Sequence, residues 1–409
     1  MNRLLIRVLS CLALAVCAAS AAAQDIAVRA ATLHTGTGER HAPGVVVIRE
    51  GRITAVGPAD RIEVPAGVDV LEVAVATPGL IDGRTVVGLS GASNQPHDQD
   101  QLERSAAMQP ELRAIDAYNP RERLVEWLRQ HGVTTIHSGH GPGEIISGQT
   151  LIAKTVGDTV AEAVIEPVFA LSATLGEQAA AGHSRESPGN RSKAMAMLRQ
   201  QLIEAREYRD RQQDGEESES LERDLGLEAL SDVLTGTLPL VVEVHQHNDI
   251  MTALRLADEF GLRLILAGAS DAHLLIDEIR AAGVPVLLHP TMQRARGPEV
   301  ENFSFTTAAR LLEAGIPVGL QSGYEAYVPK TRVVLFEAAM TLPYGTTFEQ
   351  ALHLVTLGPA EILGIADRVG SLEVGKDGDL ALFDGDPFEH STRVVGTVID
   401  GRRVSDVAR

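Results

Sequence analysis

The sequence predicts an α/β protein: a TIM-like (β/α)8 barrel with a small β-sandwich domain built from both ends of the chain. Three observations carry that expectation. Apolar runs of strand length alternate with helical patterns through the middle of the chain, glycines stand where helices hand over to strands, and short β-patterned segments bracket the whole. With 44% hydrophobic and 22% charged side chains, the 409 residues suffice for a large core and exclude a disordered or fibrous protein.

The chain opens on a segment of its own. Arg3 and Arg7 form a basic start, Leu9–Ala19 is an apolar run, and Ala21-Ala22-Ala23 precede Gln24. That order predicts a secretory signal over residues 1–23, and the apolar run is shorter than the ~20 residues of a spanning helix. The expected product is secreted, to a periplasm, with no stable membrane anchor. Both cysteines, Cys11 and Cys17, fall inside this segment, which leaves the remainder without a disulfide, a thiolate nucleophile or a cysteine-ligated metal. A net charge of −19 repels phosphate, and 3% aromatic residues offer few stacking platforms, so no nucleic-acid partner is expected.

Residues 24–76 read as the N-terminal part of the sandwich. Ile26–Leu33, Val45–Arg49, Ile53–Val56 and Val70–Val75 are strand patterns, and Gly51-Arg52 marks a tight hairpin turn. Residues 77–365 form the expected barrel. Its strands are Thr77–Gly88, Gly132–His137, Leu151–Val156, Ile165–Leu171, Leu238–His245, Leu262–Ala267, Val284–Leu288 and Val318–Gln321, about eight, as a closed βα barrel requires. Pro120–Gln130, Asp249–Phe260, Asp271–Ala281 and Thr307–Glu313 are the intervening helices. Gly261, Gly283 and Gly315 are placed to end helices. Leu89–Asn119 is a long polar loop that reads as a lid, a partner surface or an ordered wrap. Lys193–Leu230, with its acidic run Glu216–Glu222, reads as a solvated helical hairpin. Residues 366–409 return to the sandwich through Asp379–Phe383 and Val394–Ile399, with Asp400-Gly401 as a hairpin turn.

Three segments carry a family resemblance: VVVIREGRITAVGP near the start, PGLIDGRTVVG from Pro78, and LGPAEILGIADRVGSLEVGKDGDLALFDGDPFE near the end. Together they resemble the amidohydrolase superfamily, particularly its exported branch similar to imidazolonepropionase and metal-dependent prolidase-like enzymes. The resemblance implies one or two divalent metals at the C-terminal ends of the barrel strands. It also implies His-x-His on the first strand directly after Pro-Gly-Leu-Ile-Asp-x. Here those positions are Arg84 and Val86. A guanidinium stays protonated and repels a cation, and an isopropyl group has no lone pair. After the eighth strand, where the resemblance implies an Asp that binds metal and acts as general base, the chain has Ser322 and Gly323, with Glu325 two residues on.

Other candidates remain. On VVEVHQHND, strand alternation puts His245 and His247 on one face as metal ligands, His245 at a position where the resemblance implies one. After the next strand Gly268 stands at the strand end, with Asp271 and His273 beyond it. Ser270 could cap the helix that Asp271 opens, and Asp271 could favour its dipole. His137 and His140 reach the same end of the second strand. They read either as ligands that complete a relocated zinc site or as substrate hydrogen-bonding groups. Lys154 reads as a substrate-binding lysine lining the barrel mouth beside an acid, and His289 with Pro290 as facing the pocket or packing under a loop. Arg84 could fill the space a metal leaves, and pair with Asp82 or a substrate carboxylate.

The expected function is therefore that of an exported hydrolase of carbon–nitrogen bonds, in amides, cyclic amides or dipeptides, with a reduced or relocated metal site. The alternative is a catalytically degenerate binding protein, or a partner subunit of an active homologue. Metal-free chemistry on Arg84 and the histidines is a third reading. The cofactor is a divalent zinc or iron ion or none, and the partners are a small-molecule or dipeptide substrate, with a homo-oligomer or a second amidohydrolase chain open.

Overall fold

A computed structural model describes residues 25–93, 95–177, 179, 188–214, 222–289, 291–292, 297–324 and 333–409. Residues 1–24, where a secretory signal is expected, Pro290, Glu325 and most of the acidic run at 216–222 lie outside the described residues.

Strands β1 (Ile26–His34), β2 (Arg40–His41), β3 (Gly44–Arg49), β4 (Arg52–Pro58) and β5 (Asp69–Pro78) form the N-terminal β region. The middle of the chain supplies β6 (Leu80–Thr85), β7 (Val133–Ser138), β8 (Ile146–Gln149), β9 (Leu151–Lys154) and β10 (Val164–Glu166). It continues with β11 (Leu171–Thr174), β12 (Leu240–Val244), β13 (Leu264–Gly268), β14 (Val286–Leu288) and β15 (Val318–Leu320). The last strands are β16 (Leu380–Phe383), β17 (Val394–Ile399) and β18 (Arg402–Ser405). The two ends of the chain meet in one mixed sheet of order β18-β17-β16-β5-β1-β3-β4, with β2 on β1. Its seam is the antiparallel pairing of β5 with β16, Pro78 opposite Leu380 through Val75 opposite Phe383. Alternate residues Ile26, Val28, Val46, Ile48, Leu380, Leu382 and Val398 turn to a shared apolar core. The β3–β4 turn falls one residue before the expected Gly51-Arg52. Glu50 and Gly51 take φ of 50° and 80°, the pair of left-handed residues a type I′ turn needs, and Arg52 already belongs to the strand. Asp400-Gly401 repeats this geometry with φ of 49° and 70°.

Between these ends, β11 to β15 run parallel as neighbours, with β8 antiparallel on β11, and a second sheet has the order β10-β9-β7-β6. Its β6 and β7 are parallel, and a parallel bridge from Thr85 to Gly323 ties β6 to the residues just after β15. Two strand expectations change. The Ile165–Leu171 run is not one strand: Pro167, which has no N–H to give a ladder, separates β10 from β11. The Leu151–Lys154 segment is antiparallel to β7, with Thr135 opposite Lys154 and Ser138 opposite Leu151.

Helices clothe the parallel strands. Arg123–Gln130 buries Leu124, Val125 and Leu128, and Glu122 caps it by accepting from Leu124 N at 2.8 Å. Gly261 and Gly283 end their helices in the left-handed conformation, as the pattern predicts. Arg191–Gln213 and Leu225–Leu234 form the expected helical hairpin, which is not wholly solvated: Met195, Leu198, Leu202 and Tyr208 face the core. The described residues of the 89–119 loop lie against the strand ends, where Gln101 O accepts from Gly141 N and Arg113 bridges to Gln149. No helix among the described residues is long and apolar enough to cross a membrane.

Candidate functional site at the strand ends

Arg84, near the end of β6, is the charge around which the site is organised. Its side chain runs into the C-terminal edge of the parallel strands and is 6% exposed. Nη1 donates to Thr85 O at 2.8 Å, while Nη2 donates to His140 O and to Ser172 Oγ, the latter at 3.2 Å. All three acceptors are uncharged. Burial lowers its pKa to about 10, with Glu243 and Asp82 pulling upward, so the guanidinium remains charged at neutral pH. Asp82 does not close on it. The Asp82 Oδ1 accepts from Arg84 N at 3.3 Å and Ser322 N at 2.9 Å, and Oδ2 has no hydrogen-bond partner among the described residues. Burial raises the Asp82 pKa to about 7 against the Ser322 and Arg84 contacts. Ser322, where the resemblance implies a carboxylate, gives its hydroxyl to Thr85 Oγ1 at 2.9 Å.

The two second-strand histidines lie near this cation. His137 Nδ1 lies 2.7 Å from Gly83 O, an acceptor only, which fixes the proton there; Nε2 then accepts from Thr150 Oγ1 at 2.8 Å. Both ring nitrogens are engaged, and burial beside Arg84 holds the pKa down at about 3. His140 is buried, its Nδ1 has no partner among the described residues, and burial and Arg84 lower its pKa to about 4.

Glu243 on β12 and His245 just beyond it form the acidic side. The His245 Nε2 lies 3.3 Å from Glu243 Oε1, and its Nδ1 lies 2.8 Å from Ser270 Oγ. Burial opposes a charge on this ring, but Glu243, and more weakly Glu299 and Asp271, outweigh it and raise the pKa. Gly268 is required here. Its φ is +75°, and a Cβ would stand 2.7 Å from both Glu243 Oε1 and His245 Cε1. Arg84, Thr85, Val86, Ser172, Glu243 and Tyr324 line one narrow recess of about 10 Å³, room for about one water.

His247 is not on the face of His245. β12 ends at Val244 and a helix begins at His247, so strand alternation stops before it, and the ring is 62% exposed. Asp271 caps this helix rather than the one it precedes: Oδ2 accepts from His247 N at 2.9 Å and lies 3.3 Å from its ring. Ser270 is likewise turned to His245. His273 packs against Thr307, and His289 lies edge-on to Phe303 with centroids 4.8 Å apart.

Lys154 is placed away from the site. Because β9 runs antiparallel to β7, its last residue lies at the opposite end from Ser138. There Nζ meets Asp379 Oδ2 at 2.6 Å, Asp377 Oδ2 at 2.9 Å and Asp400 Oδ1 at 3.1 Å, locking the middle of the chain to the terminal sheet. Glu243, Ser172 and Thr150 were not singled out from the sequence. The available signal was Glu243 itself, a lone carboxylate inside the apolar run LVVEV.

These side chains do not fit the divalent metal that the resemblance implies. A fixed guanidinium replaces one imidazole and Val86 the next, His137 has no lone pair to spare, and His245 favours its charged form. Among the described residues no three His, Asp or Glu side chains converge as a metal cage.

The family model described as "Amidohydrolase family" matches residues 82–405. An amidohydrolase of Hapsidospora irregularis, tasK, is 26% identical over 399 residues, which is 88% of this chain but 39% of that protein; the chain thus spans about two fifths of that relative's length. An imidazolonepropionase of Geobacillus sp. (strain WCH70) is 24% identical over 83% of this chain and 84% of its own. The crystal structure of an amidohydrolase from Thermotoga maritima MSB8 is 26% identical and matches with a TM-score of 0.88, covering 93% of this chain and 100% of that one. The chain belongs to the amidohydrolase family, and its α/β architecture is that family's fold.

Proposed function

We propose that this chain is an exported amidohydrolase-family protein that recognises small carbon–nitrogen compounds (amides, cyclic amides or dipeptides) at a site rebuilt around a fixed cation. In this reading residues 1–23 are a signal removed on export to a periplasm, residues 77–365 form the (β/α)8 barrel, and 24–76 with 366–409 form the attached β domain. The observation that carries it is Arg84: a buried, charged guanidinium occupies the strand end where a metal would require a neutral imidazole. Water that no metal polarises keeps its bulk acidity, so metal-assisted hydrolysis has no support at this position. The protein then serves as a binding member, alone or beside an active homologue.

Glu243 and His245 favour a second reading, hydrolysis of a carbon–nitrogen bond without metal. Glu243 lines the recess with His245 beside it, and Glu243 could take a proton from water while the His245 imidazolium stabilises a developing oxyanion. One comparison separates the two. The purified mature protein is incubated with a panel of amides, lactams and dipeptides, with turnover followed by amine release and binding by thermal shift. Stabilisation without turnover supports the binding reading; turnover abolished by Glu243→Gln supports the second. Stoichiometric metal and turnover lost on chelation would overturn both.

A further inference from the structure

Glu144 closes the turn His140-Gly141-Pro142-Gly143-Glu144 that follows β7, and its side chain is buried, 4% exposed, with no hydrogen-bond partner on either carboxylate oxygen among the described residues. Ser147 Oγ, three residues on, is buried and equally without a partner among them. Both residues line a second narrow recess of about 10 Å³, whose other wall is Gln101, Leu102, Glu103 and Arg104 from the 89–119 loop. This recess shares Pro142 with the one beside Arg84, so the loop segment borders the candidate site. Backbone joins the two walls, since Gly141 N donates to Gln101 O at 2.8 Å. Glu103 Oε1 accepts from Arg104 N and Ser105 N, each at 2.8 Å, which fixes the backbone that carries the Arg104 side chain. That side chain is exposed and paired with no acid among the described residues. Burial raises the Glu144 pKa against the pull of Arg104, with Glu103 adding to the rise, so the guanidinium is already within electrostatic reach.

A carboxylate shielded from water and left without a partner is costly, and a cation with several N–H donors offsets that cost when it reaches the oxygens. The recess has room for about one water, which is also the size of one amino end of a guanidinium. We propose that Arg104 is a latch: its guanidinium turns into the recess to pair with Glu144 and Ser147, fastening the 101–104 strap over the strand ends beside Arg84, and the arrangement described here is the unlatched state. Both walls keep their backbone ties, so the step is a turn of one side chain. The latch governs access to the Arg84 recess whether that recess binds or hydrolyses its ligand. A calcium ion from solution is the competing occupant for the same oxygens.

Amide exchange of the mature protein tests it, in a cycle over wild type, Arg104→Gln, Glu144→Gln and the double variant. Gly141 N–H is the probe, and Leu240 N–H, which donates to Arg263 O at 2.8 Å, is the control. Each single variant is expected to speed exchange at Gly141 by roughly threefold or more, and the double variant by no more than either single, with Leu240 unchanged. Arg104→Lys should keep part of the protection, since an ammonium still pairs. Arg104 is exposed, so its Gln variant is expected to fold; if Glu144→Gln does not fold, Arg104→Gln against Arg104→Lys decides. Wild-type exchange at Gly141 in Arg104→Gln, or additive effects in the double variant, overturns the latch. Slowing at Gly141 by millimolar calcium that persists in Arg104→Gln would assign the recess to a dissolved cation and overturn it as well.

Discussion

Replacing Lys154 by Met should cost the protein a large part of its stability without touching the candidate site. Lys154 Nζ is 2% exposed and holds three carboxylates at 2.6, 2.9 and 3.1 Å. Methionine fills similar volume, so the loss is electrostatic. Asp377 keeps Arg52 and Arg368, the latter at 3.0 Å, and Asp400 is half exposed. Asp379 is left buried with the backbone N–H of Asp400 as its remaining bond among the described residues. Removing one member of such a buried pair costs about 3–5 kcal/mol, against a total of roughly 5–15 kcal/mol. Urea unfolding at pH 7.5 measures it. Adding Asp379→Asn should recover most of the loss, because the stranded charge goes with it. Burial already raises the Asp379 pKa to about 6 despite Lys154, and without the lysine it rises further. A raised carboxyl pKa adds stability at low pH that is lost as pH rises through it, so the single variant should regain stability on acidification from pH 7.5 to 5. A single-variant cost under about 1 kcal/mol, or no recovery in the double variant, would refute the view of Lys154 as a buried clamp.

Three further outcomes are expected. Asp82, with its pKa raised to about 7, favours the folded state below about pH 4 and loses that contribution as pH rises through 7. Wild type should therefore lose on the order of 4 kcal/mol relative to Asp82→Asn between pH 4 and 8, read from paired urea midpoints; a pH-independent difference would contradict it. Gly268→Ala should cost about 1–3 kcal/mol in the same assay and separate Glu243 from His245, because its φ is left-handed and its Cβ has no room. Asp271→Ala should cost about 0.5–2 kcal/mol and fray the helix from His247, seen as faster amide exchange at its first turn.

Much of the architecture could be read from periodicity. The Thr307–Glu313 helix and the Val394–Ile399 strand have the predicted bounds, because apolar spacing and flanking turn residues act locally. Strand direction is not local. Nothing within Leu151–Lys154 encodes that it runs back along β7, so Lys154 could not be assigned to an end of the sheet. His247 illustrates the same limit, since alternation says which face a residue takes only while the strand continues, and β12 stops at Val244. Arg84 was legible because a guanidinium is incompatible with metal ligation wherever it points. Glu243 was not, because a lone acid in a strand reveals its role only through the neighbours that tertiary folding brings to it.

The central claim is that a permanent positive charge, not a metal ion, organises the strand ends. Equilibrium dialysis of the mature protein against zinc, followed by elemental analysis, tests it most directly. The expected result is no tightly held zinc. About one ion per chain, lost in His245→Ala, would show that ligands converge on a metal despite Arg84 and would contradict the claim.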